Sequence, residues 1–173
     1  MSQNTDGFGF DAEALYAVLK KHLSEAWPNL GPDARLVGIA SGGAWVAKRL
    51  QREWNLPGEA GVISSSMHRD DFAQRGLAAS SMQTQLPFDV DGATVVLVDD
   101  VLHTGRTLRA VINELFDYGR PARVALAVLV DRGERQLPVA ADWVAEVREL
   151  PSDMVLSLSQ TDAGQFTFEV QAA

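Results

Sequence analysis

Short apolar runs alternate along this chain with stretches in which apolar residues recur every three or four positions. Five runs have the length and apolar character of buried strands: residues 36–40, 60–67, 95–98, 123–130 and 142–147. Helical spacing follows Asp11, Ser41 and Thr107. Because strands and helices alternate, we predict an α/β fold with a mostly parallel sheet, flanked by helices and joined by right-handed crossovers.

The two ends of the chain and one internal stretch depart from this alternation. Residues 1–10 are polar and glycine-rich, which predicts a loose N-terminus. Runs 155–159 and 165–170 flank a turn, and alternation around Phe166 and Phe168 predicts a hairpin with one buried face. Residues 69–85 show little periodicity, so composition leaves open a flexible lid or an ordinary surface β-arm.

Length and composition limit the classes of protein to consider. The 173 residues fit one domain, 1–173, and the 46% hydrophobic content is that of a globular chain. No apolar run approaches the roughly 20 residues of a membrane span, and the N-terminus lacks a signal-peptide layout. There is no cysteine, which excludes disulfides and fits the cytoplasm. A net charge of -8 argues against a generally nucleic-acid-binding surface.

The stretch from Thr94 to Thr107 carries the clearest chemical signal. A buried apolar strand is expected to end at Asp99 and Asp100, and a polar turn and a helix start follow. The adjacent carboxylates could merely cap the turn, but like charges at the mouth of an apolar strand need an offsetting partner. Turn amides and a helix N-terminus suit a phosphate, whereas carboxylates suit sugar hydroxyls and Mg²⁺. Together they predict a site for a phosphorylated sugar.

Two further loops are expected at the same edge of the sheet, where ligands of open α/β folds bind. Ser41-Gly42-Gly43 follows one strand and offers either close backbone approach to a ligand or a tight turn. Asp131-Arg132-Gly133 follows another strand and offers a guanidinium group. The three histidines lack the spacing of metal ligands, so no zinc site is predicted.

The stretch V-V-L-V-D-D-V-L-H-T-G-R-T resembles the signature of type I phosphoribosyltransferases, which bind phosphoribosyl pyrophosphate. Its continuation through D-R-G-E-R-Q-L-P, with the earlier H-R-D-D, resembles the bifunctional PyrR family. That resemblance implies a type I phosphoribosyltransferase-like sheet with a flexible β-arm or lid and a small C-terminal hood. It also implies uracil phosphoribosyltransferase activity, which yields UMP and pyrophosphate, and regulation of a pyrimidine operon through RNA.

The resemblance also implies roles for individual residues. Asp99 and Asp100 would hold the ribose hydroxyls and lie near a substrate-bound Mg²⁺, with no His or Cys ligand. Arg69, at the start of the lid, would join them in catalysis. The nucleotide site would comprise Ser41, Gly42, Asp99, Asp100, Val101, Leu102, His103, Thr104, Gly105, Arg106, Thr107, Arg132 and Val155. Within it, residues 104–107 would wrap the 5′-phosphate, and the backbone around Val155 would cover uracil.

Several alternatives stay open at this stage. Many family members have Thr-Arg-Gly where this chain has Ser41-Gly42-Gly43, which predicts either a substitute cation or weaker turnover. The acidic motif selects the phosphoribosyl donor and not the base, so a purine acceptor is a competing hypothesis. An RNA-binding regulator with little catalysis is another, although Lys20, Lys21 and His22 form only a small basic cluster. The resemblance further suggests a homo-oligomer, a dimer or larger.

Overall fold

The computed structural model describes residues 8–65 and 82–173. In chain order the elements are α1 (Ala12–Ala26), a 3-10 turn (Trp27–Asn29), β1 (Ala34–Ile39), α2 (Gly42–Glu53), β2 (Gly61–Ile63), β3 (Thr94–Leu102), α3 (Arg106–Tyr118), β4 (Arg123–Asp131), β5 (Trp143–Val147), β6 (Met154–Gln160) and β7 (Phe166–Ala172). No helix within these ranges is long and apolar enough to cross a membrane.

Five strands form one sheet in the order β2-β1-β3-β4-β5, and every neighbouring pair is parallel. This confirms the predicted α/β fold. Strand β3 lies at the centre, and Val95 to Val98 are fully buried. Val96 and Val98 pack toward α1 and α2, whereas Val95 and Leu97 pack toward α3. A strand buried on both faces explains the uninterrupted apolar run.

The remaining two strands, β6 and β7, form the predicted antiparallel hairpin. Phe166 and Phe168 are buried and belong to the core that α1 and α2 share with the sheet. The prediction for α1 is confirmed as well, because the Asp11 side chain caps the helix through the Ala14 amide at 3.0 Å. The helical spacing after Asp11 includes Val18 among the apolar positions, but Val18 is 38% exposed.

Only part of the 60–67 and 69–85 predictions falls within the described residues. The strand near position 60 spans Gly61–Ile63, and Gln85 forms an isolated antiparallel bridge with Val62. Both backbone hydrogen bonds of that bridge measure 2.8 Å. Arg69 and the rest of the predicted lid up to residue 81 lie outside the described residues.

Helix α2 lies so close to the sheet that glycine is required at two contact points. A Cβ atom on Gly43 would lie 2.1 Å from the Val98 carbonyl oxygen, and one on Gly38 would lie 2.3 Å from Cα of Ala44. These distances are far inside van der Waals contact. Gly43 therefore serves helix-to-strand packing, which is a role that neither of the two readings of the adjacent glycines included.

A polar cluster around Arg49 joins α1, α2 and the hairpin. The Arg49 guanidinium donates to Glu13 at 2.9 Å and to Glu53 at 3.0 Å. It also lies over the rings of Tyr16 and Phe166, at 4.2 and 4.9 Å from their centroids. Glu13 additionally accepts a hydrogen bond from the Phe166 amide at 2.7 Å. The cluster thus connects all three elements through charged hydrogen bonds.

The carboxylates of this cluster are held in their charged form. Burial raises the pKa of Glu53, but hydrogen bonds from Lys20, Tyr16 and Arg49 outweigh it and lower that pKa to about 2. The hydrogen bond from Arg49 likewise lowers the pKa of Glu13. Lys20 lies 2.8 Å from Glu53, so one member of the small basic cluster on α1 is already paired with an acid.

We expect the Arg49 cluster to make the free energy of unfolding depend on pH in the acid range. Because folding lowers the pKa of Glu53 from the ordinary 4.5 to about 2, its contribution is complete above the ordinary value and is lost as pH falls toward about 2. Glu53→Gln should lower the free energy of unfolding at neutral pH by roughly 0.5–1 kcal/mol. The variant should also flatten the loss between about pH 4.5 and pH 2 in urea titrations.

Glu59→Gln provides the control, since Glu59 is exposed and lies outside the cluster. An equally steep acid loss in Glu53→Gln and in the unmodified chain would contradict the assignment.

Candidate active site

The acidic pair lies within β3 and not after it, which corrects the expected strand end. Strand β3 continues to Leu102, with Asp99 opposite Val128 and Leu102 opposite Asp131 on β4. On its other side, pairing with β1 stops at Val98. Strand β3 continues because β4 pairs with it as far as Leu102. Strand β1 ends earlier and leaves the other side of β3 without a paired strand beyond Val98. Asp99 and Asp100 are therefore half-buried where β3 has only one neighbour.

The carboxylate of Asp100 connects three elements. Its Oδ1 accepts a hydrogen bond from the Val101 amide at 2.9 Å, and its Oδ2 accepts one from the Leu158 amide of β6 at 3.0 Å. On the third side lies Gly42, where a Cβ atom would be 2.7 Å from Oδ2. Gly42 is thus the residue that leaves room for this carboxylate at the start of α2.

A short turn and the N-terminus of α3 follow the acidic strand. Gly105 has a φ of +93°, and a Cβ atom there would lie 2.5 Å from Cγ2 of Val139, so glycine is required. Helix α3 begins at Arg106, the third residue of the predicted turn 104–107, and has no acidic residue in its first turn. Its first amides and positive dipole end therefore remain suited to an anion.

A cavity of about 420 Å³ lies beside these elements. Its lining combines the acidic strand, the end of β1 and the segment entering the hairpin: Ile39, Ala40, Asp99, Asp100, Val101, His103, Thr107, Arg132, Ser152, Met154, Val155, Leu156 and Ala173. A smaller cavity of about 70 Å³ reaches the turn at Thr104 and Gly105 and shares Asp99, His103 and Thr107 with the larger one. Most of the predicted nucleotide-site residues thus line two cavities that have lining residues in common.

Arg132 lines the cavity but is almost entirely buried, with 4% exposure. Its Nη1 donates to the Met154 carbonyl at 2.9 Å, and its Nη2 donates to the Pro151 carbonyl at 3.1 Å. The Nε atom is buried and has no hydrogen-bond partner within the described ranges. The guanidinium therefore binds the segment that precedes and begins the hairpin.

Of the predicted residues His103 and Ser41, only His103 lines the cavities. His103 Nε2 lies 3.0 Å from a Glu134 carboxylate oxygen. Ser41 is exposed and precedes α2, and its side chain makes no capping hydrogen bond. The Ala40–Ser41 peptide bond is cis. The loop Ser41-Gly42-Gly43 itself carries no guanidinium group.

Strand β6 pairs only with β7 within the described residues, so its other edge is free. Alternate residues of β6 direct their backbone N–H and C=O groups toward that free edge. Residues opposite each other in an antiparallel pair alternate between exchanging backbone hydrogen bonds and making none. The Leu158 amide binds Asp100 and the Met154 carbonyl binds Arg132, so both residues turn their backbone groups away from β7. Leu156 lies midway between them, opposite Val170, and shares that orientation. Its N–H and C=O therefore face the cavity side, whereas those of Val155 face β7.

The sequence matches the model of the phosphoribosyl transferase domain over residues 13–162. The chain belongs to the phosphoribosyltransferase family. Among curated relatives, "Bifunctional protein PyrR" of Ralstonia nicotianae is 52% identical over 91% of this chain and 92% of its own length. The protein of the same name from Pseudomonas aeruginosa is 50% identical over 78% of each chain. These relatives place the chain with the PyrR family.

Solved structures agree on the fold. A purine phosphoribosyltransferase from Pyrococcus horikoshii superposes with a TM-score of 0.56 at 26% identity, covering 78% of this chain and 82% of its own. A hypoxanthine-guanine phosphoribosyltransferase from Bacillus anthracis gives 0.62 at 19% identity, covering 90% and 88%. The sheet and its flanking helices are thus those of type I phosphoribosyltransferases.

The sequence-based prediction identified only part of the site around the cavity. The predicted residues that line the two cavities come from β3, the turn before α3, the first turn of α3, the loop after β4 and the hairpin. Ser41, Gly42 and Arg106 line neither cavity, and Arg69 lies outside the described residues. The sequence-based prediction omitted the hydrogen bond between Asp100 and Leu158, as well as the second arginine of the D-R-G-E-R segment, Arg135. The second arginine was visible in the sequence, but its contact was not.

The Asp100–Leu158 hydrogen bond should be detectable through the protection of a single amide. Asp100→Ala should increase the hydrogen-exchange rate at Leu158 about tenfold, because a lost charge-assisted bond costs about 1.5 kcal/mol or more. Amide-resolved exchange measured by NMR at neutral pH tests this expectation. Asp162→Ala, in the exposed hairpin turn, is the matched control. An unchanged Leu158 rate in Asp100→Ala would contradict the bond.

Proposed function

We propose that this phosphoribosyltransferase uses uracil as its acceptor and converts uracil and phosphoribosyl pyrophosphate to UMP and pyrophosphate. The observation that carries the proposal is the single cavity in which the acidic strand faces the free edge of β6. One side suits the donor sugar, and the other suits the edge of a base. The PyrR relatives favour a pyrimidine.

The donor side provides complementary groups for each part of phosphoribosyl pyrophosphate. Carboxylates of Asp99 and Asp100 accept hydrogen bonds from the two ribose hydroxyls. The turn at Thr104 and Gly105, with the first amides of α3, receives the 5′-phosphate. Gly42 lies beside Asp100, and Ser41 precedes it at the N-terminus of α2, where backbone amides would bind the pyrophosphate.

A divalent ion fits this arrangement only together with the substrate. Within residues 8–65 and 82–173 no cluster of three or more His, Cys, Asp or Glu side chains could hold a metal by itself. Two carboxylates at the cavity match the limited protein ligation of Mg²⁺, which keeps water and phosphate oxygens as its other ligands. Asp99 and Asp100 would hold it, and the ion would neutralise charge on the departing pyrophosphate.

The acceptor side provides a donor and an acceptor next to each other. The Leu156 N–H and C=O match a carbonyl oxygen and an adjacent ring N–H, as found in uracil. The pair lies on a strand held at both flanks, by Arg132 through Met154 and by Asp100 through Leu158. Because the binding groups are backbone atoms, the identity of the base depends on where β6 is placed and not on a particular side chain.

Catalysis in such a site rests mainly on positioning. Displacement at the ribose C1 carbon passes through a state with positive charge on the sugar, which the half-buried Asp99 and Asp100 stabilise electrostatically. Holding base and sugar in one cavity lowers the entropic part of the barrier. A segment closing over the cavity would exclude the water that competes with the base. The lid of the sequence-based prediction, residues 69–85 with Arg69 at its start, is proposed for that task.

The proposal is tested by offering the purified protein different bases together with phosphoribosyl pyrophosphate and Mg²⁺. Uracil should yield UMP, with kcat/KM at least about a hundredfold above that for hypoxanthine, guanine or orotate. Chromatography of the nucleotide products measures each reaction. Transfer to a purine and none to uracil would replace the proposal with a purine enzyme, and transfer to no base would refute it.

The acidic pair provides the second arm of that test. Asp99→Asn combined with Asp100→Asn should weaken phosphoribosyl pyrophosphate binding about a hundredfold or more, because two charged hydrogen-bond acceptors for the ribose are lost. Calorimetric titration measures the affinity, and Asp162→Asn serves as the matched control. An affinity equal to that of the unmodified protein would contradict the assigned role.

The name of the PyrR relatives also motivates a second function, RNA-dependent regulation with UMP as effector. Its electrostatic basis on α1 is small, because Lys20 is paired with Glu53 and the net charge is -8. The test is retention of a pyrimidine-operon leader RNA across a salt series, with and without UMP. Binding should strengthen with UMP at low salt, and no UMP-dependent retention would remove this function.

A further inference from the structure

The segment after β4 contacts both halves of the cavity through two arginines. Arg132 and Arg135 follow Asp131, the last residue of β4, within four positions. Their guanidinium groups bind different parts of the structure, the approach to β6 in one case and the turn before α3 in the other. The segment therefore connects the elements to which the proposed function assigns the base and the phosphate.

Arg132 fixes the approach to β6. Its two terminal nitrogens bind the carbonyls of Pro151 and Met154, at 3.1 and 2.9 Å. The Arg132 amide in turn donates to the Leu102 carbonyl at 2.8 Å, so the residue is anchored to the end of β3. Because the Arg132 backbone is held at the end of β3, its buried guanidinium holds the Pro151 and Met154 carbonyls in place. Any displacement of these carbonyls would leave buried guanidinium donors without hydrogen bonds.

Arg135 fixes the turn before α3. Its Nη1 donates to the His103 carbonyl, its Nε donates to the Val139 carbonyl at 2.9 Å, and its Nη2 binds the Asp131 carboxylate at 2.7 Å. The next residue, Gln136, adds a backbone hydrogen bond to the Thr104 carbonyl at 2.9 Å. Because Arg135 and Gln136 bind the carbonyls of His103 and Thr104, the segment after β4 sets the shape of this turn.

We propose that Arg132 and Arg135 are positioning residues that set the two halves of the site separately. Arg132 holds β6 in the place that selects and binds the acceptor base. Arg135 holds the turn at 103–105 in the shape that receives the donor's 5′-phosphate. The assignment of base and phosphate to these halves rests on the proposed function, whereas the contacts themselves do not.

Separate roles imply separate kinetic effects. Loss of the Arg132 contacts displaces β6, so the KM for uracil rises while the affinity for phosphoribosyl pyrophosphate changes little. Loss of the Arg135 contacts alters the phosphate turn, so the affinity for phosphoribosyl pyrophosphate falls while the KM for uracil at saturating donor changes little. A general loss of stability would instead affect both substrates in the same proportion.

The experiment compares Arg132→Met and Arg135→Met in the full chain. We expect about a tenfold rise in the uracil KM for Arg132→Met and about a tenfold loss of donor affinity for Arg135→Met, with the other parameter within about threefold in each variant. Arg35→Met is the matched control, since Arg35 also binds two backbone carbonyls, those of Pro32 and Ala34, but at the opposite end of the sheet. Lysine variants of Arg132 and Arg135 should show the same split, more weakly, and replace any methionine variant that does not fold.

Amide hydrogen exchange on the same variants separates this proposal from the proposed function. Arg132→Met should speed exchange about tenfold at residues 152–156 and leave 104–108 unchanged, and Arg135→Met should do the reverse. If the unmodified protein forms no UMP, the proposed function fails while the exchange pattern still decides the positioning roles. Proportional changes in both halves, or changes no larger than those of Arg35→Met, would overturn the proposal.

Discussion

The hydrogen bond between the Asp100 carboxylate and the Leu158 amide is the contact on which the arrangement of the site depends. One oxygen of Asp100 binds the hairpin while the other closes onto the next amide of its own strand. The carboxylate fits because Gly42 has no side chain, and Gly42 can lie there because Gly43 lets α2 approach β3. Sheet, helix and hairpin are therefore positioned against one charged group, at the point where the donor sugar is proposed to bind.

A second set of contacts also holds the hairpin. Arg49 binds Glu13 and Glu53 and lies over Phe166, which anchors the start of β7 to α1 and α2. Arg132 holds the entry to β6. Between these anchors the free edge of β6 has little freedom to shift. A rigid backbone edge can recognise a base without a dedicated side chain, because two peptide groups already present one donor and one acceptor at fixed spacing.

Much of the fold could be predicted from the sequence because its signals are local. The run at Val95–Val98 has the composition of a strand buried on both faces, and Asp11 marks the start of α1. The end of β3 was predicted wrongly, because the acids look like a strand exit and only the length of β4 reveals that pairing continues. The Asp100–Leu158 bond joins residues 58 positions apart. No periodicity or motif encodes such a contact, since it depends on how the hairpin packs against the sheet.

The account claims that base and sugar meet between the acidic strand and the free edge of β6. A crystal structure of the protein with UMP tests this most directly. The ribose hydroxyls should lie within hydrogen-bond distance of Asp99 and Asp100, the phosphate at the turn before α3, and the uracil edge at the N–H and C=O of Leu156. A nucleotide bound in that cavity with its base directed away from β6, or bound elsewhere on the protein, would contradict the account.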